Sequence, residues 1–134
     1  MTLALTIAAA VLTACAPRPT AESEFQRLRA QWLVESERVR FSSRSADSTA
    51  LPAFRAIVAL GPSAAPAIRR HLEATGCEED FFLAYALVEV NGWDASEVRR
   101  HTDPLGEQAF CRAVLAYGQS KTGGKATPGG AAVP

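Results

Sequence analysis

Apolar side chains return every third or fourth position from Ala21 onward, the spacing of helices with one buried face. The first run covers Ala21 to Phe41: Phe25, Leu28, Trp32 and Val39 fall near one face, with Leu33 beside them. Thr20 is placed to cap it, and Glu22 and Glu24 suit the positive end of its dipole. Ser42 to Thr49 reads as a polar linker. Pro52 then sits in the first turn of a second helix bearing Phe54, Ile57, Val58 and Leu60, which Gly61-Pro62 ends. Ser63 is the expected cap of a third helix, Ala64 to Thr75, with Ala65, Ile68 and Leu72 inward and Gly76 closing it. Glu78-Glu79-Asp80 read as the acidic start of a fourth, whose apolar face is Phe82, Leu83, Ala86, Leu87 and Val90 and which Asn91-Gly92 stops. Asp94 or Ser96 begins a short fifth helix through Val98 to His101. Asp103-Pro104 is a cap and first-turn pair for a sixth, with Phe110, Val114 and Leu115 inward and Gly118 after it. From Gln119 the chain has almost no large apolar residue, so residues 119–134 are expected to form a disordered tail.

A weak repeat lies inside this pattern. "IRRHLEATG", Ile68 to Gly76, returns as "VRRHTDPLG", Val98 to Gly106, keeping Arg-Arg-His and the glycine. An offset of this size is typical of stacked helical units. Pairing the helices gives units over residues 21–60, 63–91 and 94–118, the last short as terminal units often are. The expected architecture is all-α, about six helices in stacked antiparallel pairs.

The chain opens differently. Thr2 to Ala16 carries no charge, and Leu3 to Leu12 is a compact apolar run. A stable bilayer span needs roughly 20 apolar residues, so this run suits the core of a secretory signal better than an anchor. Met1-Thr2 lacks the basic residues that usually precede such a core. Leu12-Thr13-Ala14-Cys15 resembles the lipobox of bacterial lipoproteins. That resemblance implies a signal peptide over residues 1–14, a diacylglycerol on the Cys15 thiol, cleavage ahead of it, and usually acylation of the freed amine. Membrane lipid is then the first partner, and residues 15–20, with Pro17 and Pro19, form a short extended tether. Ala16 is not acidic, and by the family's sorting rule this directs the protein to the outer membrane of a two-membrane cell, facing the periplasm. The alternative is an ordinary N-terminal core helix with Cys15 buried.

"ALGPSAAPAIRRHLE" followed by "FFLAYALVEVNG" resembles a short bacterial HEAT-type repeat, over about Ala50 to Asp94 with a fainter echo to Gly118. In such repeats a helix ends at Leu-Gly, restarts at a small–small–Pro step and meets an alanine-rich packing helix. Trp32, Glu35, Ser42-Ser43 and "LPAFRAIVALG", with the same closing stretch, are also similar to a group of small bacterial proteins of no assigned activity.

Composition narrows the role. The 134 residues allow one small domain, and 14 Lys and Arg against 14 Asp and Glu leave no basic footprint for nucleic acid. Beyond Cys15 the cysteines are Cys77 and Cys111, which pair as a disulfide in an exported protein or stand as a loop thiol and a buried apolar residue. His71 and His101 follow Arg-Arg at helix ends, where cations meet the dipole favourably. Zinc ligation by His71, Cys77, His101 and Cys111 lacks the close ligand pairs of structural sites, and a Cys77–His71 nucleophile lacks an orienting partner. Glu78, Glu79 and Asp80 diverge around a helix instead of converging on a cation. No glycine loop of the phosphate-cradling kind occurs. No catalytic residue, metal or cofactor is therefore assigned. Arg69, Arg70, Arg99, Arg100 and Trp93 are the candidate contact residues for a protein partner, with Trp32 expected in the core. The expectation is a non-catalytic, lipid-anchored interaction module of the bacterial envelope, or a disulfide-stapled structural or redox accessory protein, or a soluble HEAT-like protein if the N-terminus is not a signal.

Overall fold

Thr20 turns the chain into its first helix by accepting the Ser23 N–H at 3.1 Å, and from there the computed structural model describes residues 17–100 and 106–123. The α-helices are α1 (Ala21–Ser36), α2 (Ser45–Thr49), α3 (Pro52–Ala59), α4 (Ala65–Thr75), α5 (Leu83–Val90), α6 (Ala95–Arg100) and α7 (Glu107–Gly123), with a 3-10 turn at Gly61–Ala64. The protein is all-α, and no strand occurs among the described residues.

α1 stops sooner than its pattern suggested. Phe25, Leu28 and Trp32 are buried, but the next inward positions hold Glu35 and Ser36, which cannot extend an apolar face. The chain tightens through bonds from Arg38 N–H to the Glu35 carbonyl and from Val39 N–H to that of Ser36. Val39 is half-buried, while Leu33 and Phe41 lie out in solvent. Glu35 finds other work: its carboxylate accepts the Ala53 N–H at 2.9 Å, one of the donors left unpaired where Pro52 opens α3. The supposed linker folds too. α2 occupies part of it, and the Ser48 carbonyl accepts the buried Trp32 indole N–H at 3.0 Å. An indole donor needs a partner when buried, and this one ties α2 to the core.

Ser63 does not cap the third helix. Its hydroxyl donates back to the Leu60 carbonyl, and α4 begins at Ala65 with Pro66 in its first turn, where a missing N–H costs nothing. Gly76, at φ +60°, closes α4, with Cys77 N–H reaching the Leu72 carbonyl. Glu78, Glu79 and Asp80 lie in turns before α5, not in its first turn, and Phe82 is its half-buried cap. Asp94 starts α6: its carboxylate accepts the Ser96 N–H at 2.8 Å and its carbonyl the Val98 N–H. His101 and the Asp103-Pro104 pair fall outside the described residues; Gly106, at φ +95°, precedes α7.

α7 runs through Gly118 to Gly123, so residues 119–123 are helical and not part of a tail; residues 124–134 lie outside the described range. Gly118 sits inside the helix because a Cβ there would lie 2.0 Å from Arg69 Nη2 and 2.8 Å from Trp93 Cη2. It marks a close approach, not a stop.

α5 is the centre of the molecule. Leu83, Ala84, Ala86, Leu87, Val88 and Val90 are buried on it, and it packs against α3, α4 and α7. α1 lies along α3 and α6 along α7, so helices close in sequence also meet in space. Small side chains such as Ala53, Ala64 and Ala67 let these helices come close, and Phe25, Phe54 and Phe110 fill the wider gaps with no exposed surface. The two repeat copies agree in part: Ile68 and Val98 are both buried, and Gly76 and Gly106 both take positive φ.

Candidate functional site

The turn after α4 gathers the polar chemistry of the fold. Gly76 and Cys77 both adopt left-handed backbone, φ +60° and +61°, and Asp80 follows at φ +51°. Such values are unusual for a side chain with a Cβ, and aspartate tolerates them better than most. The sharp reversal aims Cys77 into the core and Asp80 back toward α1 and α4.

Cys77 is bonded to Cys111 of α7, with an S–S distance of 2.03 Å and Cα atoms 6.0 Å apart. Both are fully buried. The bond therefore fastens the α4–α5 turn to α7, and it takes both sulfurs out of any nucleophilic or metal-binding role.

Asp80 is the hub of a second cluster, which sequence reasoning missed. Its Oδ2 accepts from Arg29 at 2.5 Å and stands 2.8 Å from His71 Nε2, while Arg29 Nε lies 3.1 Å from the same imidazole nitrogen. The side chains of Asp80, His71 and Arg29 are 9%, 14% and 22% exposed. The short His71–Asp80 contact needs a proton on Nε2, so two donors then converge on one carboxylate oxygen. This joins α1, α4 and the following turn around one anion, and the Phe25 ring edge, 6.2 Å from the imidazole, closes the apolar side. No hydroxyl or thiol among the described residues is hydrogen-bonded to the His71 ring. The cluster orients an imidazole without giving it a nucleophile to activate. Among the described residues, no three His, Cys, Asp or Glu side chains are grouped to hold a metal ion.

The arginine pairs do not form a continuous free stripe. Arg69 lies over Gly118 and Trp93 and is 3.8 Å from Glu73. Arg70 reaches across to Glu22 of α1. Arg99 donates to the Tyr85 hydroxyl at 2.6 Å and covers the Phe110 ring at 4.4 Å. Arg100 bonds the Ser96 carbonyl at the end of its own helix. Trp93 is half-buried, edge-on to Tyr117 at 5.4 Å, and Trp32 is in the core. Tyr85 also donates to Glu107 at 2.7 Å; burial, then that carboxylate, pushes its hydroxyl above the ordinary tyrosine value.

No family profile, characterised protein or solved structure matches this chain. The site must speak for itself. A buried disulfide, the Arg29–His71–Asp80 cluster and arginines tied to neighbouring groups add up to a small, cross-braced body. Cys15 and His101 are outside the described residues, and no described helix is long and apolar enough to cross a membrane.

Proposed function

We propose that this protein is a lipid-anchored, non-catalytic helical module of the bacterial envelope, held at the membrane through Cys15. The observation that carries the reading is the buried Cys77–Cys111 bond. Disulfides form and last in oxidising compartments outside the cytoplasm, so the bond supports export. Export is also what Leu12-Thr13-Ala14-Cys15 implies by its likeness to a lipobox. Two or more acyl chains at one cysteine give stable attachment, since one alone binds only marginally. The body then serves as a scaffold for protein contact, its helix pairs stacked as in a short HEAT-like array. Arg70, Arg99 and Arg100 all reach solvent; Arg100, which bonds a backbone carbonyl, is the one open to an acidic partner without giving up Glu22 or the Tyr85 hydroxyl.

A disulfide-stapled accessory protein is the second reading, and burial shapes it. Sulfurs with no exposed surface favour a permanent staple over an exchanging redox pair. Fractionation with intact-mass analysis tests the main reading. The expected product is membrane-bound, begins at Cys15 and carries a diacylglyceryl group. A water-soluble native chain with residues 1–14 still attached overturns it.

A further inference from the structure

The outer face of α1 and the turn after it carry apolar side chains that no described residue covers. Val34 is 72% exposed and Phe41, seven residues on, is 90% exposed, with Leu33 at 37%. Large apolar groups held this far into water are uncommon on a small body whose other described large aliphatic and phenylalanine side chains are buried or half-buried. Beside Leu33 runs an open groove of about 490 Å³ whose apolar wall is Leu33, Val39, Phe81 and Phe82 and whose polar wall includes Glu37, Arg40 and Asp80.

The charges around it are sorted. The exposed polar positions of α1 are Ser23, Gln26, Arg27 and Gln31, with no carboxylate among them. Its glutamates are turned aside: Glu22 to Arg70, Glu24 to Arg27, and Glu35 to the Ala53 N–H. Past the helix, Glu37 pairs with Arg40 at 3.1 Å and Asp47 stands 3.9 Å from Arg44, which leaves Arg38 with no carboxylate partner among the described residues. The Arg40 guanidinium also lies 4.6 Å from the Phe41 ring centroid. An apolar tip with arginines at its base matches the layering of a bilayer surface, acyl chains beneath and phosphates above.

We propose that this face, from Arg27 to Phe41, is a second membrane contact that lies on an anionic bilayer, with Val34 and Phe41 inserted and Arg27, Arg38 and Arg40 at the phosphates. It rests on the function proposed above for why a bilayer is at hand, but not for the binding itself. The geometry suits both attachments. Cys15 lies six residues before α1, and the helix of 16 residues is about 24 Å long, so one end carries the tether and the other the apolar tip. Two attachments on one body act together, because the stable acyl anchor raises the local concentration of bilayer at the weaker second contact.

Vesicle flotation with the mature chain, residues 15–134, carrying Cys15→Ser separates this contact from both the acyl anchor and the apolar leader. Binding is expected to vesicles containing phosphatidylglycerol and to be at least several-fold weaker with phosphatidylcholine alone. Val34→Ser/Phe41→Ser should weaken it about tenfold, as expected for partial burial of two apolar side chains. Arg38→Gln/Arg40→Gln should weaken it several-fold and flatten its salt dependence. Helicity should stay unchanged in all of these. A second readout is Phe41→Trp, whose added emission should be quenched by lipids brominated on the acyl chain. Equal flotation of Val34→Ser/Phe41→Ser and the parent, together with no quenching, overturns the proposal. So does a dimer in lipid-free buffer that Phe41→Ser dissolves while vesicle binding stays absent, since the face would then meet a second copy. Failure of Cys15 acylation in the native protein leaves these vesicle results unchanged and counts against the anchor alone.

Discussion

Replacing Cys77 and Cys111 together with alanine removes a covalent link between positions 34 residues apart while changing no charge. Loop closure at that separation is worth about 3.8 kcal/mol in the chain-entropy account, since the unfolded chain regains the freedom the bond denied it. Both sulfurs are fully buried, so the small voids left behind add to that cost. For a domain near 100 ordered residues this corresponds to a fall of about 15 °C or more in the thermal midpoint. The assay is thermal unfolding by circular dichroism on the exported protein, after labelling the denatured, unreduced chain to show that neither thiol is free. The alanine pair should melt lower and ignore reductant, while the parent should approach it once reduced. A double variant melting within about 3 °C of the oxidised parent would refute the account, because loop closure alone predicts several times that shift. Two free thiols in the exported parent would remove both the staple and the main argument for an oxidising compartment.

Three other outcomes follow from the packing. Asp80→Asn leaves Arg29 and His71 facing a neutral acceptor in a mostly buried site and should cost about 1–3 kcal/mol, read from the urea midpoint. Gly118→Ala places a methyl where Arg69 and the Trp93 ring already stand; about 1–2 kcal/mol of destabilisation and an altered near-ultraviolet tryptophan signal are expected, and an unchanged signal would mean that α7 does not pass so close. Tyr85 is held above its ordinary value of 10.0 by burial and by Glu107, so its proton is bound more tightly in the folded state. That contribution is fully present below pH 10.0 and is lost as pH rises through the raised folded value, so the parent should lose its stability advantage over Tyr85→Phe in that window. A constant difference between the two across the range would count against the burial argument.

Helix existence was legible in the apolar spacing, because a helix with one buried face must repeat its large side chains every three or four residues. Phe25, Leu28 and Trp32, then Phe54 and Ile57, then Ile68 and Leu72, all point inward as that rule requires. Stop signals built on local backbone conformation were legible too: Gly61, Gly76 and Gly92 each take positive φ where a helix ends. Gly118 is the exception that explains the rule. A helix-ending glycine and one that admits a neighbouring side chain look alike in sequence, and only the position of Arg69 and Trp93 tells them apart.

What the chain could not announce were partners far apart along it. The Glu35 bond to Ala53, the Trp32 bond to Ser48 and the meeting of Arg29, His71 and Asp80 span up to 51 residues, and no local propensity encodes them. The acidic run before α5 shows why. Read locally, it suits a helix dipole; in the fold, the left-handed turn at Asp80 turns that carboxylate to an arginine on another helix. The cysteines lie between these cases, since counting them allowed a bond and only the packing of α7 against the α4–α5 turn brings their Cα atoms to 6.0 Å. Short-range sterics and periodic burial thus decided which segments are helical, while the choice of polar partner waited for the tertiary structure, because a buried charge takes whichever counter-charge the assembled core sets beside it.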